Sequence, residues 1–244
     1  MQASTGQGGT VRRIDDRLMV RVFAAFVLLA LLSAIISVGG KWIGRSIALA
    51  GHTEDATPRE IVIGNNVIVV PANAIRFEGD RRYGVASSLR LYLRWPDLQG
   101  YAAETRDDFN HAGGSRNILF VSFEPQIMSR DMSGRFDPIY ASLIEGPGTP
   151  GPAGLTAYGF KPQSGYLDET LVVGPEEQGS RFVARCLTGA VAAESLADCE
   201  RDLAIGDHLV VVYRFPSRLL GDWRRLEAAV LAYAREALRT PRGG

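Results

Sequence analysis

Residues 22–38 read VFAAFVLLALLSAIISV, a stretch without a charge, and Gly39 and Gly40 extend the uncharged run to nineteen residues before Lys41. At about 1.5 Å rise per residue, a helix of that length spans roughly 28 Å, close to the hydrocarbon thickness of a bilayer. Eleven of these residues are Val, Leu, Ile or Phe. Each favours insertion by about 0.3 to 0.6 kcal/mol, so the segment gains on the order of 3 to 6 kcal/mol on entering a membrane. The run predicts a transmembrane helix at 22–40.

Its flanks set an orientation. Arg12, Arg13, Arg17 and Arg21 precede the run, whereas Lys41 and Arg45 follow it. The basic excess on the N-terminal side places residues 1–21 in the cytoplasm and the rest outside, in the periplasm if the membrane is a bacterial inner membrane. Ala48-Leu49-Ala50 before Gly51 has the small-x-small form of a signal-peptide cleavage site. The apolar run is longer than a signal core, however, and two cations stand between it and that site, which favours an uncleaved anchor.

Beyond the span, residues 46–244 carry 21 basic and 25 acidic side chains, a net charge of about −4. That balance keeps a domain soluble and argues against nucleic acid as a partner. Cys186 and Cys199 are the only cysteines, and in an oxidising compartment they are expected to pair, the alternative being two inert buried thiols. Two cysteines cannot make a four-cysteine zinc site, and their spacing is not that of a redox C-x-x-C pair.

The exported part reads as strands broken by glycine and proline. Ile61-Val62-Ile63 and Val67-Ile68-Val69-Val70 flank Gly64-Asn65-Asn66, a hairpin or a bulged long strand. Leu89, Leu91 and Leu93 alternate with Arg90, Tyr92 and Arg94, the period-two pattern of a half-buried strand. Residues 118–123, 155–160, 166–173 and 181–187 are further strand candidates, and LVVVY at 209–213 is the strongest β-run. After Pro216 the apolar residues Leu219, Leu220, Trp223, Leu226, Val230, Tyr233 and Leu238 recur at helical spacing, predicting an amphipathic helix at 217–239 with Ser217 as N-cap. A shorter helix is expected from about 190 to 202, which would put Cys199 on a helix. GPGTPGPAGL at 146–155 reads as a loop or hinge, and residues 41–60 as a tether. The fold class is α+β: an N-terminal transmembrane helix, then a mainly antiparallel β domain at 61–244 closed by a C-terminal amphipathic helix.

Catalytic signals are sparse. The chain holds no P-loop, no dinucleotide fingerprint after a strand, no H-E-x-x-H and no EF-hand loop, so no cofactor and no metal is expected. His111, with Asp107 and Asp108 before it and Gly113-Gly114-Ser115 after it, is the least poor catalytic candidate. His208 reads as a surface residue and His52 as a solvated member of the tether. Arg90 and Arg94 fall on one strand face with Trp95 beside them, which makes them candidates for a surface that docks an anionic lipid, a glycan or a protein.

The stretches IVIGNNVIVVPANAIRF at 61–77, LYLRWPDLQGY at 91–101 and VVVYRFPSRLLGDW at 210–223, behind an N-terminal span, together resemble bacterial single-pass transmembrane-anchored proteins. The resemblance implies an anchor and an envelope location and lends no activity or catalytic residue. The expected function is a non-catalytic binding or scaffolding domain held outside the inner membrane to meet an envelope partner. The alternative is a membrane-tethered hydrolase or ligand-binding sensor acting on envelope material.

Overall fold

The computed structural model describes residues 16–49, 51–177 and 179–240. The expected cytoplasmic segment lies outside the described residues as far as residue 15, as does Ala50 of the small-residue site. Two compact units follow one another in sequence, divided after Gly51. The first is a single helix, α1 (Asp16–Leu49), of 34 residues. Within it Met19–Ile36 is long and apolar enough to cross a membrane, and large side chains such as Phe23, Phe26 and Leu28 are exposed. The helix outruns the uncharged stretch at both ends and takes in residues 41–49.

The second unit begins at His52. Its strands are β1 (Pro58–Ile63), β2 (Asn66–Pro71), β3 (Gly84–Val85), β4 (Leu89–Arg94), β5 (Ile118–Pro125), β6 (Thr149–Pro150), β7 (Thr156–Gly159), β8 (Glu169–Glu177), β9 (Ser180–Leu187), β10 (Cys199–Ala204) and β11 (Leu209–Phe215). Short α-helices lie among them, α2 (Arg106–Phe109), α3 (Ala141–Leu143) and α4 (Gly189–Glu194), and α5 (Trp223–Ala237) comes after β11. β2, β1 and β3 form a small sheet. The other eight strands form one sheet in the order β4-β5-β11-β10-β9-β8-β7-β6, every neighbouring pair antiparallel.

The GNN break is a hairpin turn. Gly64 takes a left-handed φ of +57°, a conformation glycine adopts without steric cost. Asn66, 2% exposed, then ties this turn to the one between β10 and β11. Its Oδ1 accepts from the Asp207 amide at 3.0 Å and its Nδ2 donates to the Asp207 carbonyl at 2.8 Å.

One face of the large sheet packs inward. Leu89, Leu91 and Leu93, then Leu119, Val121 and Phe123, then Val211, Tyr213 and Phe215 meet Ile61, Ile63, Ile68 and Val70 of the hairpin and one stripe of α5. That stripe is Trp223, Leu226, Val230, Ala234 and Ala237, spaced so that each turn of helix returns to the sheet. Burying Leu226 and Val230 contributes about 1.5 to 3 kcal/mol each. Ser217 does not cap this helix by its hydroxyl: residues Ser217–Asp222 form a 3-10 turn, and Asp198 Oδ1 takes the Ser217 amide at 2.7 Å.

The opposite, outer face is covered only in part. Over β7, β8 and β9, Met132 and Tyr140 with Phe136 and Ile144 cover Leu171, Val173 and Val183. The glycine-rich stretch at 146–155 supplies β6 and a 3-10 turn at the sheet's edge. It does not divide the sheet.

The expected helix at 190–202 is corrected: α4 ends at Glu194, and Cys199 opens strand β10. There Cys199 stands directly opposite Cys186 of β9 and is bonded to it in a disulfide. The helix-forming residues around 190–197 extend a helical reading into CERDLA, but Cys199, Arg201 and Leu203 point inward while Glu200 and Asp202 do not. Pairing of all six β10 residues with β11 overrides the local propensity.

Candidate functional site

On the outer face, the side chains of β4, β5, β11 and β10 stand in cross-strand rows. Arg90 faces Ser122, Ser122 faces Val212, and Val212 faces Asp202; in the next row Phe120 faces Arg214, which faces Glu200. A groove of about 460 Å³ lies over these rows, bounded by Arg76 and Arg90 on the β4 side and by Glu194, Leu196 and Glu200 on the β10 side. Its floor includes Phe120 and Val212.

Four side chains on the β4 side form a ladder of alternating cations and rings. The Arg90 guanidinium lies 4.3 Å from the centre of the Phe77 ring, and the Arg76 guanidinium lies 5.0 Å from that of Phe77 and 4.8 Å from that of Phe120. The segment carrying Arg76 is held beside β4 by a backbone bond from the Arg76 amide to the Arg90 carbonyl, 2.9 Å. Stacking on a ring engages a guanidinium's face and leaves its in-plane N–H groups free to donate to carboxylate or phosphate.

The charges around the groove are unevenly satisfied. Arg90 is paired with Asp80 at 3.0 Å, and Glu200 with Arg185 at 2.7 Å. Glu124 accepts from the Ser122 hydroxyl at 2.5 Å. Among the described residues, neither Arg76 nor Glu194 has an ion-pair partner, and both are exposed. A cation and an anion, each without an ion-pair partner among the described residues, therefore stand on opposite sides of a floor that mixes Phe120 and Val212 with Ser122 and Arg214.

The expected docking trio is not one surface. Arg90 lines the groove, whereas Arg94, on the same strand face, is turned to Asp97 and, at 4.0 Å, to Asp108. Trp95 packs against the core, with the Arg225 guanidinium 5.4 Å from its ring. Phe120, Ser122 and Glu124 carry the same period-two pattern as β4, and that alternation was the available sign that β5 shares this face. Nothing local marks Arg76 or Glu194.

Of the expected catalytic candidates, His111 and Asp108 both meet Ser115, whereas Asp107 stands apart. Asp107 is exposed and nearest to Arg106, 3.7 Å away. Asp108 instead clasps its own loop, accepting from the Ser115 hydroxyl at 2.5 Å and from Asn117 Nδ2 at 2.9 Å. The Ser115 bond chiefly, then Asn117 and Arg94, holds its carboxyl below the usual range. His111 Nδ1 meets the Ser115 carbonyl at 3.2 Å. Among the described residues, no group of three His, Cys, Asp or Glu is placed to hold a metal ion.

His52 is corrected from a solvated tether residue to a half-buried one. Its ring stacks on Tyr101, 4.6 Å between centroids, with the edges of Tyr92 and Phe109 beside it. Nδ1 lies 2.5 Å from the Tyr92 hydroxyl and Nε2 3.3 Å from Asn110 Oδ1. A neutral imidazole protonated at Nε2 satisfies both contacts, accepting from Tyr92 and donating to Asn110. Burial lowers the imidazole's pKa, with Arg81 and His111 acting in the same direction and the Asn110 bond opposing.

No protein-family model matches the chain, and no curated protein matches it. Two solved structures are similar over 78% of this chain and 96% of their own. One is an immunity protein of the Stenotrophomonas maltophilia type IV secretion system, 14% identical with a TM-score of 0.49. The other is an iron-regulated outer-membrane lipoprotein of Neisseria meningitidis, 10% identical with a TM-score of 0.45.

Proposed function

We propose that this chain is a single-pass, membrane-anchored binding protein of the bacterial envelope. In this reading α1 crosses the inner membrane with its N-terminus in the cytoplasm, and the domain from His52 onward works in the periplasm as a docking or scaffolding module. The span and its basic N-terminal flank support the anchor and its direction. The Cys186–Cys199 disulfide supports an oxidising compartment.

The observation that carries the binding role is the open half of the outer sheet face. One half of that face is roofed by Met132, Phe136, Tyr140 and Ile144, while the other holds a groove with stacked arginines, the apolar side chains Phe120 and Val212, and two opposite charges unpaired among the described residues. Apolar anchors rimmed by charge are what a protein interface uses for affinity and for choice of partner. The test is in-cell crosslinking of the C-terminally tagged full-length chain, comparing the wild type with Phe120→Glu. A stoichiometric envelope partner that the variant loses supports the reading, and recovery of the same partner by both chains overturns it.

A further inference from the structure

We infer that the groove on the outer sheet face takes an extended, dipolar segment of a partner polypeptide, with a carboxylate held at Arg76 and a cationic side chain held at Glu194. The inference rests on the docking reading above and adds the chemistry of what docks. Three features of the groove define the occupant. Arg76, stacked on Phe77 and Phe120, stands at one side with no ion-pair partner among the described residues. Glu194, in the last turn of α4, offers an unpaired anion at the other. Between them lie Phe120 and Val212, with Ser122 and Arg214 beside them, the Arg214 guanidinium donating to the Ala197 carbonyl at 3.3 Å and lying 4.0 Å from Glu200.

A uniformly anionic ligand would be repelled by Glu194, Glu124 and Glu200, and a uniformly cationic one by Arg76, Arg90 and Arg214. Geometry sets the spacing. The four strands beneath the groove, β4 to β10, span three intervals of about 4.8 Å, or roughly 14 Å; Arg76 reaches in over Phe120 of β5 from the segment beside β4, and Glu194 from α4. An extended peptide covers that distance in about four residues, and its side chains at i, i+2 and i+4 share one face. The fitting pattern is acidic, apolar, basic at alternate positions: the acid meets Arg76, the apolar side chain lies on Phe120 and Val212, and the base meets Glu194.

The test uses the full-length chain in neutral-lipid nanodiscs and three fluorescein-labelled, C-terminally amidated pentapeptides, read by anisotropy. Asp-Ser-Leu-Ser-Lys should bind at least about tenfold more tightly than Asp-Ser-Leu-Ser-Asp or Lys-Ser-Leu-Ser-Lys. Arg76→Glu should move the preference to the all-basic peptide and Glu194→Lys to the all-acidic one. A loss of folding cannot mimic such opposite switches. Equal binding of all three peptides, or variants that leave the ranking unchanged, would overturn the assignment. If a partner is crosslinked at this face while the chain ignores every peptide, the docking reading stands and the dipolar assignment falls.

Discussion

The guanidinium of Arg201 on β10 meets the carboxylate of Glu227 on α5 at 2.8 Å, with the arginine side chain 1% exposed. The cause is a split in the sheet. β10 pairs with β9 only at Cys199–Cys186 and Glu200–Arg185, and past that point Arg201 Nη1 takes the Val183 carbonyl at 2.8 Å while Nη2 reaches Ser133 Oγ at 3.0 Å. One side chain thus joins the helix, the strand that diverges and the segment roofing the outer face. Removing a single partner of a buried pair strands the other charge, at a cost of about 3 to 5 kcal/mol. Glu227 is itself partly exposed, so Glu227→Leu is expected near the lower end. The double variant Arg201→Met with Glu227→Leu should recover at least half of that loss, as read from denaturant unfolding. A double variant no more stable than the single one would show that the pair's charge is not the issue.

The disulfide closes a loop with a sequence separation of 13, for which chain entropy predicts about 3 kcal/mol. Cys186→Ala with Cys199→Ala should lower the unfolding free energy by about that amount, and reductant should lower the wild type similarly while leaving the variant unchanged.

His52 makes stability depend on pH. The folded imidazole has a lowered pKa, so the unfolded chain binds the proton more readily between the folded value and the ordinary 6.5. Stability is complete above about 6.5 and is lost as pH falls through that window. The difference in melting temperature between wild type and His52→Phe should be constant above pH 7 and should shrink as pH falls below about 6.5. A difference that does not change with pH would contradict the contacts described for the ring.

The two neighbouring aspartates should behave differently. Asp108→Ala leaves Ser115 and Asn117 without their acceptor and is expected to cost about 1 to 2 kcal/mol. Asp107→Ala removes an exposed carboxylate and should stay within about 0.5 kcal/mol of the wild type. Thermal melts of the two variants side by side separate these outcomes.

Much of this architecture can be read from the chain. The alternation of Leu89, Leu91 and Leu93 with Arg90 and Arg94 marks which face of β4 is buried, and Trp223, Leu226 and Val230 mark the buried stripe of α5. What resisted reading depends on partners distant in sequence. β10 is a strand because β11 pairs with it, and Arg201 is buried because β9 leaves a carbonyl open there. His52 is ordered by Tyr92, Tyr101 and Asn110, at least forty residues away along the chain. The groove has the same character: Arg76 and Glu194 become neighbours of one surface only after four strands are assembled between them.

The most direct measurement is site-specific photo-crosslinking in living cells, with a photoreactive residue at Ser122 on the groove floor or at Arg235 on the exposed side of α5. The docking account predicts a discrete adduct from Ser122, lost when Arg76→Glu is added, and none from Arg235. Adducts from Arg235 with none from Ser122 would place the working surface on the helix and contradict the account.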